Sequence, residues 1–432
     1  MSQALPFVEA MAAAPLPASG IAWLDAWRHE QHAAFVAAGL PDTRMEAWKY
    51  TALRALGQRR FVVGDAQAAT RAVDPALLAL PGVDGPKLVF VNGVFRADLS
   101  ALHALPDGLT LQPLSQALRQ DAEPLRFVLT RHEAEQGDAF VRLNAACAAD
   151  GVVLKLAAGA KPPAPVHLVF LGAPAEGELA WHLRNLVELG EGAELTLVEH
   201  HAASGEQQHF ATLVGDIALR DGSVLRHVLL QQAALGSSLI RRSRLHLGKR
   251  AQATSHVLEL GGALARHDLR AELAGDGARF ATRGVFMPRG RQHIDTQLAI
   301  HHRALDTASD SVWRGVADQR ARGVFRGAIE VAPGADGSDA NLSNKNLLLS
   351  PNAEIDTKPE LEIHADEVKA AHGATVGQLD ERALFYLRSR GIPLAEARAL
   401  LTAAFCRAVL DDLPNAALRE HLAALLAIEL PA

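Results

Sequence analysis

The chain has 432 residues, enough for two or three domains and a sizeable core. Hydrophobic residues make up 49% and charged residues 21%, the balance of a globular protein. A formal net charge of −6 over that length argues against a general binder of nucleic acid or membrane surfaces, since both need a basic excess.

Residues 1–20 are rich in Ala and Pro and lack the basic start and unbroken apolar core of a secretory signal, so the expectation is a cytoplasmic protein. Residues 20–130 have a mixed, partly helical texture. Trp23, Trp27 and Phe35 share an apolar helical period that Gly39 and Pro41 end. The run from Lys87 to Asn92 reads as a strand.

From about residue 140 to 375 short strand-like segments follow one another with little helical period. Glu194 to Glu199 alternates, as does Arg244 to Leu247. Turn signals recur at Gly192, Gly222, Lys249-Arg250 and Gly275-Asp276-Gly277, a spacing of roughly 25–30 residues typical of stacked repeats. Stacked coils of short strands give a parallel β-helix, which this spacing favours, with a β-sandwich as the competing architecture.

Beyond Asp380 the chain turns helical. Asp380 suits an N-cap, Gly391 a helix stop and Pro393 the opening of a second helix, and a last helix runs to about Leu430. The fold class expected is mainly β. A mixed, helical N-terminal region covers 1–135, a parallel β-helix core 136–376 and a small helical domain 377–432.

The chain has two cysteines, Cys147 and Cys406, too few for a disulfide framework or to hold a metal cluster by themselves. No G-x-x-x-x-G-K-[ST] loop is present, so no ATP site is expected. His200-His201 and His301-His302 lie on strand-like runs, where neighbours face opposite sides, which favours structural roles. Glu362, His364 and Asp366, at alternate positions, would share one face of a strand and suit a divalent metal, unless they form a solvated polar face. His372 sits among Ala370, Ala371, Gly373 and Ala374, small residues that leave room for another chain or a ligand. An exported β-helix polysaccharide lyase is the rival of another class, and the missing signal speaks against it.

The stretch from Asn346 to Ile392 closely resembles the C-terminal core of the SufB/SufD family of iron–sulfur cluster assembly proteins. Val331 to Ala335, His301-His302 with Thr307 and Ser309-Asp310 fit the same family, and Arg44 to Thr51 is similar to the E-x-W-K-Y-T signature of its SufD branch. The resemblance runs from about residue 40 to about 410. SufB-type chains are usually longer and carry cysteine-rich features near the N-terminus, which this chain lacks.

The resemblance implies a right-handed β-helix with helical regions at either end. It implies pairing with SufB through the β-helices, and docking of the ATPase SufC on the C-terminal helices, with Tyr386, Leu387 and Arg390 as candidates. It implies a transient nascent cluster shared with SufB. His372 matches the histidine that the family places at the SufB interface, as a cluster ligand or iron-entry residue, with Glu362, His364 and Asp366 as weaker candidates. Many SufD-like chains carry a cysteine two residues before this histidine; here that position is Ala370. A flavin, FAD, is implied for the complex, although no flavin motif is visible in this chain. A self-pairing edge is compatible with a homodimer in isolation.

Overall fold

The computed structural model describes residues 5–64, 66–70, 72–131 and 138–428. Its centre is a β-solenoid of about eight turns, each giving one strand to each of two facing ten-stranded sheets. The first sheet runs from Asp150–Leu156 through alternate strands to Glu354–Ile363, and the second from Val166–Gly172 to Lys369–Gly377. Every pairing between successive turns is parallel, which rules out the β-sandwich. The register advances by one repeat per turn: Leu264 lies beside His293, and His293 beside Arg322.

Alternation along each strand puts every second residue into the lumen, and the parallel register then stacks like on like. In the first sheet Ile217, Leu245, Ala271, Ile300, Ile329 and Leu361 form one such column. All but the last are buried in the main apolar core. Dry stacking of this kind supplies the stability a repeat lacks alone, at about 25 cal/mol per Å² of apolar surface buried.

The turn signals fall on one corner of the solenoid. Gly192, Gly222, Arg250, Gly277, Asp306 and Gly337 all adopt positive φ there. Each donates its backbone N–H to the carbonyl of the corner one turn further on, as from Gly222 to Lys249 and from Gly277 to Leu305. Glycine dominates because this conformation crowds a Cβ.

The two ends of the chain cover the outer faces. The strand Lys87–Val91 joins the second sheet beside Val166–Gly172, as its sequence implies. The helix Ala22–Ala38 stops at Gly39, which has φ 66°. It buries Leu24, Arg28, Gln31 and Phe35, whereas Trp23 and Trp27 lie at the flank, only half buried. The expected tryptophan face is therefore corrected by one step around the helix. Arg28 takes the buried position because its guanidinium donates to the carbonyls of Pro17 (2.8 Å) and Ala148 (2.9 Å). Asp380 caps the helix Glu381–Ser389 by accepting from the Arg382 N–H at 2.9 Å. The helices Leu394–Arg407 and Ala416–Ile428 lie on the outer face of the second sheet. There Cys406, Leu410, Leu418 and Leu422 join Val198, Val228, Leu258 and Val285 in one core.

The middle of the lumen is polar. Arg241 donates to both carboxylate oxygens of Glu199 at 2.8 Å, to His201 Nε2 at 2.9 Å and to the Ser243 hydroxyl at 3.0 Å. His227 Nε2 donates to Glu199 at 2.9 Å, and His267 lies between Ser243 (3.0 Å) and Glu259 (3.1 Å). His201 accepts from a guanidinium and is therefore neutral. Burial, with Arg241 beside it, holds its pKa well below the ordinary value.

Candidate functional site

The solenoid ends bare. Among the described residues the strand Glu354–Ile363 pairs only with Arg322–Val331, and Lys369–Gly377 only with Asp339–Leu348. Val376 is 43% exposed and Ile363 42%, although both continue lumen-facing columns, and this leaves apolar surface uncovered.

The two open edges differ. In a parallel strand alternate residues direct their backbone groups to opposite neighbours. The Lys369 N–H bonds inward to Ser338, so the N–H groups of Ala370, His372, Ala374 and Val376 face the open side. The Glu354 and His364 N–H groups likewise bond inward, which puts Pro359 at an outward position with no N–H to offer. Lys358 on the same strand pairs with Glu46 of the N-terminal region and with Glu360 at 2.7 Å. Proline and charge blunt the first edge; small residues leave the second able to accept another strand.

His372 stands on this second edge. Its column runs through Leu197, His227, Ser255, Thr282, Ser311 and Leu342, all buried, and His372 is the first member with no turn over it. Its exposure comes from the end of the stack and not from its own face.

The other candidates separate. Glu362 and His364 meet, with His364 Nε2 2.9 Å from Glu362 Oε1. The strand ends at Ile363, so the alternation expected to bring Asp366 onto the same face stops short of it. Among the described residues no three of His, Cys, Asp and Glu are placed to hold a metal ion. His301 and His302 face opposite sides, as adjacent strand residues must. His301 Nδ1 is 2.8 Å from Glu330 on the outer face, and His302 is buried between the hydroxyls of Thr307 and Ser309. His200 likewise faces outward and His201 the lumen.

The two cysteines lie far from the open edge in sequence and are both free. Both thiols are buried, and burial pushes each up to about 12, against the opposing pull of Arg28 on Cys147 and Arg314 on Cys406. A protonated thiol is a poor ligand for iron.

On the C-terminal helices Tyr386 is 56% exposed, Leu387 is half buried, and the Arg390 guanidinium lies 5.1 Å from the Tyr386 ring centre. Phe385, which the sequence reading passed over, is 74% exposed, and Leu394 and Leu400 are also exposed. The signal was there, since Leu384 alone fills the buried stripe of that short helix. The segment Arg44 to Thr51 also gains a role. Trp48 packs under the Arg266 guanidinium at 4.0 Å, and the Thr51 hydroxyl donates to Asp295 and lies 2.9 Å from His293 Nε2. The segment fastens the N-terminal region to the first sheet.

These features define a class: a rigid two-sheet β-solenoid with one edge open to a partner strand and an appended helical domain with an apolar face. Residues 171–405 match the family model described as SUF system FeS cluster assembly, SufBD core domain, and residues 12–168 match the SufBD protein N-terminal region. The iron–sulfur cluster assembly protein SufD of Escherichia coli K12 is 31% identical over 395 residues, 91% of this chain and 90% of that protein. An iron–sulfur cluster assembly SufBD family protein of Synechocystis is 31% identical over 394 residues, 89% of this chain and 86% of its own. The chloroplastic protein ABCI7 of Arabidopsis thaliana is 28% identical over 297 residues, 66% of this chain and 62% of that protein. The chain belongs to the SufB/SufD family of the SUF iron–sulfur cluster assembly system, on its SufD branch.

Proposed function

We propose that this protein is a non-catalytic scaffold subunit of a cytoplasmic SUF assembly complex. It pairs with SufB through the second-sheet edge and docks the ATPase SufC on its C-terminal helices. The observation that carries the reading is the asymmetry of the two open edges: Pro359 and the Glu46–Lys358 contact guard one, while Ala370, His372 and Ala374 leave the other open. Strand addition to such an edge gives affinity through backbone hydrogen bonds. The solvent-facing Phe385, Tyr386, Leu394 and Leu400 supply the apolar anchors a second partner needs. Among the described residues no helix is long and apolar enough to cross a membrane.

The nascent cluster is cargo in this scheme. It forms where the partner edge meets His372, and His372 offers an imidazole nitrogen to iron. An Fe–S cluster needs about four ligands, usually thiolates, and both thiols of this chain are buried and protonated, so the cysteines come from SufB. Glu362 and His364, at the end of the neighbouring strand, fit iron delivery better than cluster ligation. Few thiolates and an edge contact suit release. Closure of two SufC subunits on ATP would pull the helical domains, and a stiff solenoid would carry that rotation to the edge. FAD belongs to the complex in this proposal, with no residue of this chain assigned to it.

Anaerobic iron–sulfide reconstitution of the complex with SufB and SufC tests the reading, comparing wild type with His372→Ala. A mutant complex that assembles normally but loses cluster absorbance or delivery to an apo-ferredoxin supports it. Unchanged yield and transfer would move every ligand to SufB.

A further inference from the structure

The C-terminal helices differ in how they are held. Leu394–Arg407 and Ala416–Ile428 share an apolar core with the second sheet. Two further contacts fasten the first of them near the open end. The Arg314 guanidinium, on the strand Ala308–Ala317, lies 5.4 Å from the Phe405 ring centre. Arg398 donates to the Leu349 carbonyl at 2.6 Å. Leu349 directly follows the strand Asp339–Leu348, and its own N–H still bonds to the Ala317 carbonyl at 2.9 Å. Arg398 therefore grips the end of the strand on which the open edge is laid. Ala397 and Cys406 face the core of this helix, while Leu394 and Leu400 face solvent.

The helix Glu381–Ser389 is held otherwise. Leu384 is its one buried residue. It follows the His372 strand, Lys369–Gly377, after residues 378–380 alone. That link reaches at most about 10 Å, so a larger shift of the helix acts directly on the strand. Among the described residues the strand has one neighbour, Asp339–Leu348. Their ladder and the Asn346 side-chain amide, which donates to the Thr375 carbonyl at 3.0 Å, hold it there. At its other end the helix turns into Leu394–Arg407 through Gly391, at φ 87° with open space around its Cα. A glycine so placed can absorb a change of angle.

We propose that the helix Glu381–Ser389 is a lever on the His372 strand, and that Arg398 is the positioning residue that keeps the neighbouring strand still. The inference rests on the reading that SufC docks on these helices, and it gives the regulation of the open edge a shorter route than the solenoid body. Phe385 and Tyr386 ride on the lever, and Leu394 and Leu400 on the anchored helix. An ATPase that turns one helix against the other about Gly391 draws Lys369–Gly377 along Asp339–Leu348. The pull becomes relative motion only while Arg398 fixes the second strand. His372 then moves against the partner edge, which loosens the cargo.

Two variants test the proposal: a Gly-Ser-Gly-Ser spacer inserted after Leu379, which gives the lever slack, and Arg398→Met, which removes the grip. Arg398→Lys restores a donor and is the conservative control. Each full chain is assembled with SufB and SufC. ATP-stimulated transfer of a cluster to an apo-ferredoxin should fall about tenfold or more in the first two variants. Transfer without ATP, ATP hydrolysis, and the SufB and SufC bound should each change less than about twofold, and Arg398→Lys should recover most of the loss. In the chain alone, Arg398→Met should speed hydrogen exchange over residues 345–349 about tenfold, and the spacer should leave it unchanged. ATP stimulation that persists in either variant while SufC binds, or a loss that Arg398→Lys does not recover, overturns the lever alone. If SufC does not bind the wild-type chain, the docking reading falls and the lever with it. If Arg398→Met does not fold by circular dichroism, the spacer variant decides.

Discussion

His256, on the second sheet, donates its Nε2 proton to Asp412 Oδ1 across 2.7 Å. The Arg283 Nε donates to the other oxygen of Asp412 at 3.1 Å. One carboxylate in the connection between the last two helices, Leu394–Arg407 and Ala416–Ile428, therefore holds two strands of the solenoid. Asp412→Ala should leave the buried His256 without its partner and cost about 1–2 kcal/mol, a range that allows for the half-exposed carboxylate. Faster hydrogen exchange across residues 394–428, with the solenoid unchanged, is the expected signature. Unaltered exchange there would mean that apolar contact alone seats the domain.

The open edge makes a sharper test than truncation. The Ala374 N–H faces the free side, so Ala374→Pro removes a donor that bonds to nothing among the described residues. Unfolding stability should change by less than about 1 kcal/mol, while association with SufB, measured by analytical ultracentrifugation, should fall at least about tenfold. Normal association would place the interface elsewhere.

Inside the lumen, Glu199 is 3% exposed. Burial pushes its carboxyl up, yet Arg241 and the His227 hydrogen bond outweigh that and hold it far below the usual carboxylate range. Glu199→Gln strips the charge from the partner of a buried guanidinium and should cost about 3–5 kcal/mol in urea unfolding. A loss under about 1 kcal/mol would show that water reaches Arg241.

His302 gives the pH dependence a sign. Burial, with His301 adding to it, pushes this imidazole down to about 4. An unfolded histidine titrates near 6.5. Between those values the unfolded chain binds a proton that the folded chain refuses. The stability this provides is complete above about pH 6.5 and is lost as pH falls toward about 4. His302→Gln should flatten the stability–pH curve in that window by up to about 1.4 kcal/mol per pH unit. A slope equal to that of wild type at every pH would contradict the assignment.

The cysteines offer a direct check on ligand supply. With both thiols buried and pushed up to about 12, alkylation of the native chain at pH 8 should be at least about a hundredfold slower than after unfolding. The double variant Cys147→Ala, Cys406→Ala should support cluster reconstitution with SufB at the wild-type level. Loss of the cluster in a variant that folds would show that this chain donates a thiolate after all.

Much of this protein is written in local pattern. Alternation in Glu194 to Glu199, turn residues at one-repeat intervals, Asp380 as a cap and Gly39 as a stop each act over a few residues. Each appears in the structure where the sequence puts it. The opposed faces of His301 and His302 follow from the strand period alone. The motif residues that carry the family resemblance are legible in the same way, His372 included.

What the sequence could not supply is anything set by stacking. His372 and Leu342 occupy the same column, and one is exposed and the other buried only because the solenoid stops between them and solvent. The edge at Pro359 and the edge at Ala374 look equally available until the direction of each N–H is known, which depends on register. Trp23 and Trp27 lose the buried face of their helix to Arg28, whose guanidinium finds two carbonyls from distant parts of the chain. Local propensities act through the backbone of a few neighbours, whereas burial, pairing and charge compensation depend on which distant groups the closed fold brings within a few ångströms.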